Sequence, residues 1–221
     1  MFDYPVFLQL RGKCCVVVGS GPVGMRKTRG LLAVGAKVRL ISPTLEDWRC
    51  GENIEPVRRT FRAGDLDGAR LVFAATGDNA SDRAVAAEAR RIGVPVCLAA
   101  LPEEGDFSLP AILRRGDLGV AVATAGGSPA LAAEVRDLLA DLLPGSWSVV
   151  VDIATALRRR KPLDAGGAAY GRETLRRLLD GQLVALLEAR DAANVDRLLQ
   201  QVCGPSCTLA ALGISLPERN P

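Results

Sequence analysis

The sequence contains no histidine among its 221 residues. This absence removes the usual acid–base group at neutral pH and the commonest metal ligand. Aromatic residues make up only 4% of the chain while apolar residues make up 48%, so leucine, valine and alanine must fill the core. No apolar run approaches the roughly 18 residues of a membrane span, and the N-terminus lacks a signal-peptide pattern. A cytoplasmic protein without a membrane partner is therefore expected.

Strong charge of either sign is also missing, because the net charge is only +3. A balance this small does not indicate a nucleic-acid partner. Cys14, Cys15 and Cys97 fall in apparent buried strands, where a thiol acts as a small core hydrophobe. Cys203 and Cys207 could pair or bind a metal, but no further ligands accompany them. No metal site is predicted.

The most informative segment is residues 14–24, an apolar run that leads directly into a G-x-G-x-x-G pattern. In such a pattern Gly19 permits a tight turn, Gly21 lets the backbone approach a pyrophosphate, and Gly24 lets a helix pack closely on the strand. The following helix would present its N-terminal N–H groups to the phosphates. With a second strand near residues 37–41, the segment predicts a dinucleotide site.

Strand-like and helical segments alternate in the first half of the sequence, and this favours an α/β fold. Such alternation predicts a Rossmann-type, doubly wound parallel sheet with its ligand at the carboxyl edge. Residues 71–75 form a buried strand that ends at Thr76, a predicted wall of the nicotinamide pocket. The predicted strands are 14–18, 37–41, 71–75 and 94–98, with helices at 22–34 and 79–92 and a weaker strand signal around 56–61.

The alternation stops near residues 107–115, and the second half is mainly helical. Residues 120–123 predict a strand, and Ser128 followed by proline predicts the start of a helix that extends to residue 143. The tail after Cys203 is expected to be loosely held. Three domains are predicted: a dinucleotide-binding domain at 1–112, a small α+β dimerisation domain at 113–145, and a helical domain at 146–221.

Several separated segments, in order along the chain, resemble the precorrin-2 dehydrogenases, a family that includes the N-terminal module of siroheme synthases. The resemblance implies NAD-dependent oxidation of precorrin-2, a polycarboxylate tetrapyrrole, to sirohydrochlorin. It also implies a homodimer whose second domain forms the interface close to the active site. Besides the glycine turn with Arg26-Lys27, the segments that carry it are Pro5–Leu10, Leu31–Ala36, Ala74–Thr76, Asp106–Ile112 and Gly126–Ala132.

The resemblance also implies positions for the cofactor. Pro22 and Val23 would meet it at the glycine turn, and Pro43 and Thr44 would meet it beyond the second strand. The full predicted cofactor set is Gly19, Gly21, Pro22, Val23, Gly24, Ser42, Pro43, Thr44 and Thr76. The residues alone leave NAD and NADP open, because the acid that usually binds the ribose 2′-hydroxyl is missing and no arginine directly follows the second strand. The family favours NAD.

A polycarboxylate substrate needs cations. Arg114 and Arg115 lie where the family's two domains meet, and either could clamp a carboxylate. Thr124, at the place where some members carry a phosphorylatable serine, and Ser128 complete the predicted substrate set. The cationic run 158–161 is a further candidate, although such runs at helix ends are usually solvated.

One departure from the family pattern matters for catalysis. Where the family reads roughly Asn-Val-Val-Asp, this chain has Cys97-Leu98-Ala99-Ala100, so the family aspartate is Ala100. A slip of the loop could instead bring Glu103, Glu104 or Asp106 to that place. Hydride transfer depends mainly on positioning and on the cofactor, whereas metal insertion needs a group to accept pyrrole protons.

Three functional interpretations follow. The first is an NAD-dependent dehydrogenase with weak or absent chelatase activity, for which a separate chelatase is a candidate partner. The second is a bifunctional dehydrogenase and ferrochelatase. The third is a non-catalytic protein that binds NAD or a tetrapyrrole.

Overall fold

The computed structural model describes residues 3–45, 52–159 and 171–216. The chain divides into two compact units, which are described separately. Unit 1 comprises Met1–Leu109 with Ala125–Gly127, and unit 2 comprises Pro110–Thr124 with Ser128–Pro221. Arg160 and Lys161 of the cationic run lie outside the described residues.

Unit 1 is built on a five-stranded sheet with the strand order β3-β2-β1-β4-β5. Every neighbouring pair of strands is parallel, which confirms the predicted Rossmann-type fold. Val18 pairs with Ile41 on one side and with Ala74 on the other, so three strands end at one edge. The strands are β1 (Cys14–Val18), β2 (Lys37–Ile41), β3 (Ile54–Val57), β4 (Leu71–Ala74) and β5 (Val96–Leu98).

Two helices cover the sheet of unit 1, α1 (Pro22–Leu32) and α2 (Asn79–Arg91). Because side chains alternate along a strand, Val16 faces the core cluster that includes α2 residues, while Val17 faces the cluster that includes Leu31 of α1. Both faces of the sheet are therefore buried, as a parallel sheet requires. Strand order reverses between β1 and β4, and ligands of such sheets bind at this switch point.

Unit 2 begins with an antiparallel hairpin of β6 (Ala111–Arg115) and β7 (Leu118–Val122). The strand prediction missed β6, which is short and ends in two arginines. Gly116 opens the two-residue turn with φ +57°, the positive value that such turns require. Helices follow: α3 (Pro129–Leu142), α4 (Trp147–Arg159), α5 (Arg172–Asp180), α6 (Leu183–Glu188) and α7 (Ala192–Cys203).

The expectation of a loose tail after Cys203 is wrong as far as residue 216. Cys207 and Leu209 are buried in the helical core of unit 2, where Leu212 and Ile214 also pack. Asp196 accepts a hydrogen bond from the Leu209 backbone N–H at 2.6 Å. The apolar side chains of the tail complete the core that α4 to α7 leave open. A boundary at 145/146 within unit 2 stays a prediction.

Among the described residues, no single helix is long and apolar enough to cross a membrane. The helices α3 and α4 reach that length and composition only if they are counted together across the 71° bend between them.

Candidate dinucleotide-binding site

The glycine turn after β1 is packed too tightly for side chains at two of its three glycines. Gly19 has φ +107°, and a Cβ there would lie 2.1 Å from the carbonyl oxygen of Ala75. A Cβ on Gly24 would lie 2.0 Å from the carbonyl oxygen of Gly19. Both neighbours are backbone atoms, so any larger residue would push apart β1, β4 and α1. These two glycines hold the framework of the turn.

Gly21 has a different surrounding. Its φ is −64°, and a Cβ placed on it would meet nothing within 4 Å. Gly21 is the N-cap of α1 and offers no side-chain hydrogen bond, so among the described residues the N–H groups of Val23 and Gly24 have no partner. Pro22 occupies the first helical position, where a missing N–H costs nothing. Open space above unpartnered helix N–H groups fits a pyrophosphate.

The predicted residues beyond β2 adjoin this turn. Ser20 donates its hydroxyl proton to the Ser42 hydroxyl oxygen at 2.9 Å, and Ser42 is buried. Ser42 in turn accepts a hydrogen bond from the Thr44 backbone N–H at 3.3 Å. Pro43 and Thr44 remain exposed beside it. The structure thus joins the glycine turn to the end of β2, where the adenosine half of a dinucleotide binds in this fold.

Arg39, the cation within β2, is already engaged. Its guanidinium donates to the Glu55 carboxylate at 3.0 Å and to the Asp65 carbonyl oxygen at 2.8 Å. These bonds direct the charge toward β3 and the segment before β4. Arg39 is therefore not placed to receive a ribose 2′-phosphate.

Thr76 follows β4 at the same edge and is held by a buried carboxylate. Asp82 on α2 is 1% exposed, and its Oδ1 accepts hydrogen bonds from the Thr76 N–H at 3.0 Å and the Thr76 hydroxyl at 2.7 Å. Asp78 caps α2 by accepting from the Ser81 N–H at 2.8 Å. The sequence predicted Thr76 but missed Asp82. The available signal was an acid in the first turn of a helix that starts at the ligand-binding edge.

The loop after β5 contains Ala100, which the sequence resemblance aligns with the family aspartate. Ala100 is exposed, and the N–H of neighbouring Ala99 donates to the Ala74 carbonyl oxygen at 2.9 Å. Asp106 lies at the other end of β5, where its carboxylate accepts from the Val96 N–H at 2.9 Å. Its own N–H donates to the Val96 carbonyl oxygen. The Asp106 carboxylate therefore binds the amino end of β5, whereas Ala100 follows the carboxyl end of that strand.

Glu104 is also engaged. The Arg83 guanidinium contacts its carboxylate at 2.7 and 3.0 Å, and this bond holds the pKa of Glu104 below its usual value. Arg90 contacts the carbonyl oxygen of the same residue. Glu103 is exposed, and no other described residue forms a hydrogen bond or ion pair with its carboxylate. Of the three acids in the loop, Glu103 alone is left available.

The predicted substrate residues of unit 2 differ in whether their side chains are already hydrogen-bonded within the unit. Arg115 donates to the carbonyl oxygens of Leu143 at 2.7 Å and Ala140 at 3.2 Å, which places its charge at the C-terminus of α3. Thr124 and Ser128 bond to each other at the start of α3, with the Thr124 hydroxyl 2.9 Å from the Ser128 carbonyl oxygen. The Arg114 side chain is exposed on β6. Arg114 is the better placed of the two arginines to meet an anion.

Two buried cysteines of the sheet, Cys15 and Cys97, are held in the thiol form. Burial raises the pKa of Cys15 to about 11 and also raises the pKa of Cys97. Cys203 and Cys207 are not joined in a disulfide. Within residues 3–45, 52–159 and 171–216, no three potential metal-ligating side chains cluster.

Residues 6–111 match a family described as "Putative NAD(P)-binding". Siroheme synthase of Methylococcus capsulatus is 36% identical over 202 residues, which cover 89% of this chain and 43% of that protein. Siroheme synthase of Nitrosomonas eutropha is 34% identical over 203 residues, with the same two coverages.

Over 89% of its length the chain is similar to part of each of these two siroheme synthases. It spans less than half the length of the curated relatives it matches. A solved structure, "SirC, precorrin-2 dehydrogenase", superimposes with a TM-score of 0.69 at 24% identity and covers 90% of this chain and 98% of its own. At that identity the superposition shows that the two chains share a fold.

Proposed function

We propose that this chain is an NAD-dependent dehydrogenase that oxidises precorrin-2 to sirohydrochlorin. The observation that carries the proposal is the open pyrophosphate place at Gly21, in a chain 36% identical to a siroheme synthase over 202 residues. The sequence resemblance to precorrin-2 dehydrogenases points to the same substrate. The engaged guanidinium of Arg39 favours NAD over NADP. A cytoplasmic location is part of the proposal and rests on the sequence.

The residues of unit 1 would act by binding and orienting. The N–H groups of Val23 and Gly24 would hold the pyrophosphate, while Thr76 would form a fixed wall for the nicotinamide end. When bound, NAD supplies the hydride acceptor. Orientation of this kind accounts for up to about 7–11 kcal/mol of a barrier in well-aligned cases. A missing general base costs about 10²–10⁴-fold, so hydride transfer tolerates alanine at position 100.

Metal insertion by the same chain would be weak or absent. It needs a group beside the macrocycle that accepts pyrrole protons, and Ala100 has none. Two of the three nearby acids are engaged, Glu104 with Arg83 and Asp106 with the Val96 N–H. Glu103 is the remaining candidate for the role of the family aspartate. A separate chelatase would then complete the metal insertion.

One experiment separates the three interpretations. The purified protein is incubated with precorrin-2 and NAD, NADH is followed by its absorbance, and Fe²⁺ or Co²⁺ is then added. NADH formation that stops at sirohydrochlorin supports the proposal. Rapid metal insertion identifies the bifunctional enzyme. Binding of NAD or tetrapyrrole without NADH formation identifies a non-catalytic protein and contradicts the proposal.

A homodimer is part of the proposal, and α3 is the surface that supports it. Leu131, Leu138 and Leu142 are 55%, 64% and 72% exposed, and their spacing places them on one side of the helix. Exposed leucines at this spacing form an apolar stripe that a second copy would cover.

The change Leu138→Glu is expected to convert the dimer to a monomer, because it buries an unpaired charge in the interface. Sedimentation velocity at micromolar concentration measures the outcome. Leu179→Glu is the matched control, since Leu179 is an exposed leucine of α5 outside the stripe. A wild-type protein that sediments as a monomer at these concentrations would contradict the assignment.

A further inference from the structure

We infer that Asp82 is a positioning residue for cofactor binding. By fixing the end of β4 against the glycine turn, Asp82 sets the affinity of the protein for NAD. The inference rests on the proposed NAD-binding function. Asp82 does not line the open space at Gly21, because it is 1% exposed. It acts through Thr76, whose N–H and hydroxyl both donate to the same carboxylate oxygen of Asp82.

The Thr76 backbone packs directly against the glycine turn. A Cβ on Gly19 would lie 2.9 Å from the Thr76 nitrogen and 2.1 Å from the Ala75 carbonyl oxygen. The Ala75 N–H also donates to the Val18 carbonyl oxygen at 2.8 Å. The chain from β4 into Thr76 is therefore one wall against which Gly19 packs. A displacement of Thr76 changes the shape of the turn that would hold the pyrophosphate.

Asp82 is not the N-cap of α2. The start of α2 is capped by Asp78, which accepts from the Ser81 N–H at 2.8 Å. The second oxygen of Asp82, Oδ2, is buried and has no hydrogen-bond partner among the residues that the structure describes. An unsatisfied buried oxygen lowers stability, and in a native structure such a group calls for an explanation. Holding Thr76 at the ligand-binding edge provides one.

The test compares three variants with the wild-type protein. Asp82→Ala removes the carboxylate oxygen that faces both Thr76 donors and leaves the Thr76 hydroxyl only the Asp78 carbonyl oxygen at 3.1 Å, while Asp82→Asn keeps one carbonyl oxygen in its place. Asp78→Ala is the matched control, because it removes the carboxylate that caps α2 at Ser81 and keeps the backbone N–H and carbonyl of Asp78 that contact the Thr76 hydroxyl. Isothermal titration calorimetry gives the Kd for NAD, and thermal unfolding without NAD gives the Tm.

We expect Asp82→Ala to raise the Kd for NAD about tenfold and Asp82→Asn to restore it to within about threefold of wild type. Asp78→Ala should lower the Tm and leave the Kd unchanged. Adding Thr76→Val to Asp82→Ala should weaken binding by less than the product of the two single effects, because both changes break the same contact.

A folded Asp82→Ala protein with wild-type affinity for NAD would overturn the inference. So would an equal rise in Kd for Asp78→Ala, which would show that loss of helix stability alone explains the effect. If the wild-type protein does not bind NAD, the proposed function itself fails. The two failures are thus separated by the wild-type measurement.

Discussion

Replacing Gly21 with aspartate is expected to abolish NAD binding while the protein stays folded. A side chain at Gly21 meets no protein atom within 4 Å, so the new carboxylate enters the space reserved for the pyrophosphate. There it repels the phosphates. It also accepts hydrogen bonds from the N–H groups of Val23 and Gly24, which would otherwise bind the phosphates. We expect the Kd for NAD to rise at least a hundredfold, or about 2.7 kcal/mol.

The fold should tolerate Gly21→Asp because the local backbone already suits it. The φ of −64° is ordinary for any residue, and aspartate is a favoured N-cap. The Tm is therefore expected to change by no more than a few degrees. Calorimetric titration with NAD, together with thermal unfolding, measures both properties on one sample.

Two sets of variants control for charge and for packing. Gly30→Asp places the same charge on α1 at another glycine whose Cβ would meet nothing, and it should leave NAD affinity unchanged. Gly19→Ala and Gly24→Ala should instead unfold unit 1, since their Cβ atoms would lie 2.1 and 2.0 Å from backbone oxygens. Undiminished NAD affinity in folded Gly21→Asp protein would remove the site from the glycine turn.

The glycine turn could be predicted from sequence because Gly19, Gly21 and Gly24 lie close together in the chain, and the flanking apolar strand and helical pattern agree with one fold. The close approach of Gly19 to the Ala75 carbonyl oxygen joins distant segments, and the spacing of the glycines does not specify it. The five-stranded sheet follows from the same alternation of strand and helix. The weak strand signals came from β3, which contains a proline, and from β6, which ends in two arginines.

Individual side-chain contacts were harder to predict from the sequence than the fold. The bond between Thr76 and Asp82 joins residues six positions apart, and its one sequence signal, an acid in the first turn of a helix at the ligand-binding edge, does not say which donor the acid binds. The packing of Cys207 and Leu209 depends on a gap left by distant helices. Arg115 was predicted as a substrate clamp from its charge and its place in the family pattern, and its bonds to carbonyl oxygens at the C-terminus of α3 could be found only in the structure.

In the loop around Ala100, one feature could be predicted from the sequence and another could be found only in the structure. The sequence resemblance aligned Ala100 with the family aspartate, but it left open which of three nearby acids could replace that carboxylate. The structure narrows that choice, because Arg83 engages Glu104 and the Val96 N–H engages Asp106. Only Glu103 keeps an unengaged carboxylate among the three.

The wild-type protein is expected to oxidise precorrin-2 with NAD and then to stop at sirohydrochlorin. Ala100→Asp would restore a carboxylate at the family position, and we expect it to yield measurable insertion of Co²⁺ or Fe²⁺ with dehydrogenase activity retained. Absorbance of the metallated macrocycle measures the second step, and NADH formation measures the first. Ala99→Asp is the matched control, because it adds the same charge to the neighbouring exposed position.

The size of the gain depends on placement, since a displacement of about 1 Å can cost two orders of magnitude in rate. A small gain in Ala100→Asp is therefore compatible with the dehydrogenase-only assignment, provided that it exceeds the gain in Ala99→Asp. Rapid insertion by the unmodified protein is not compatible with it. In that event Glu103→Gln should abolish insertion and leave NADH formation intact, because Glu103 is the loop carboxylate that no described residue engages. Persistence of insertion in Glu103→Gln would place the proton acceptor outside this loop.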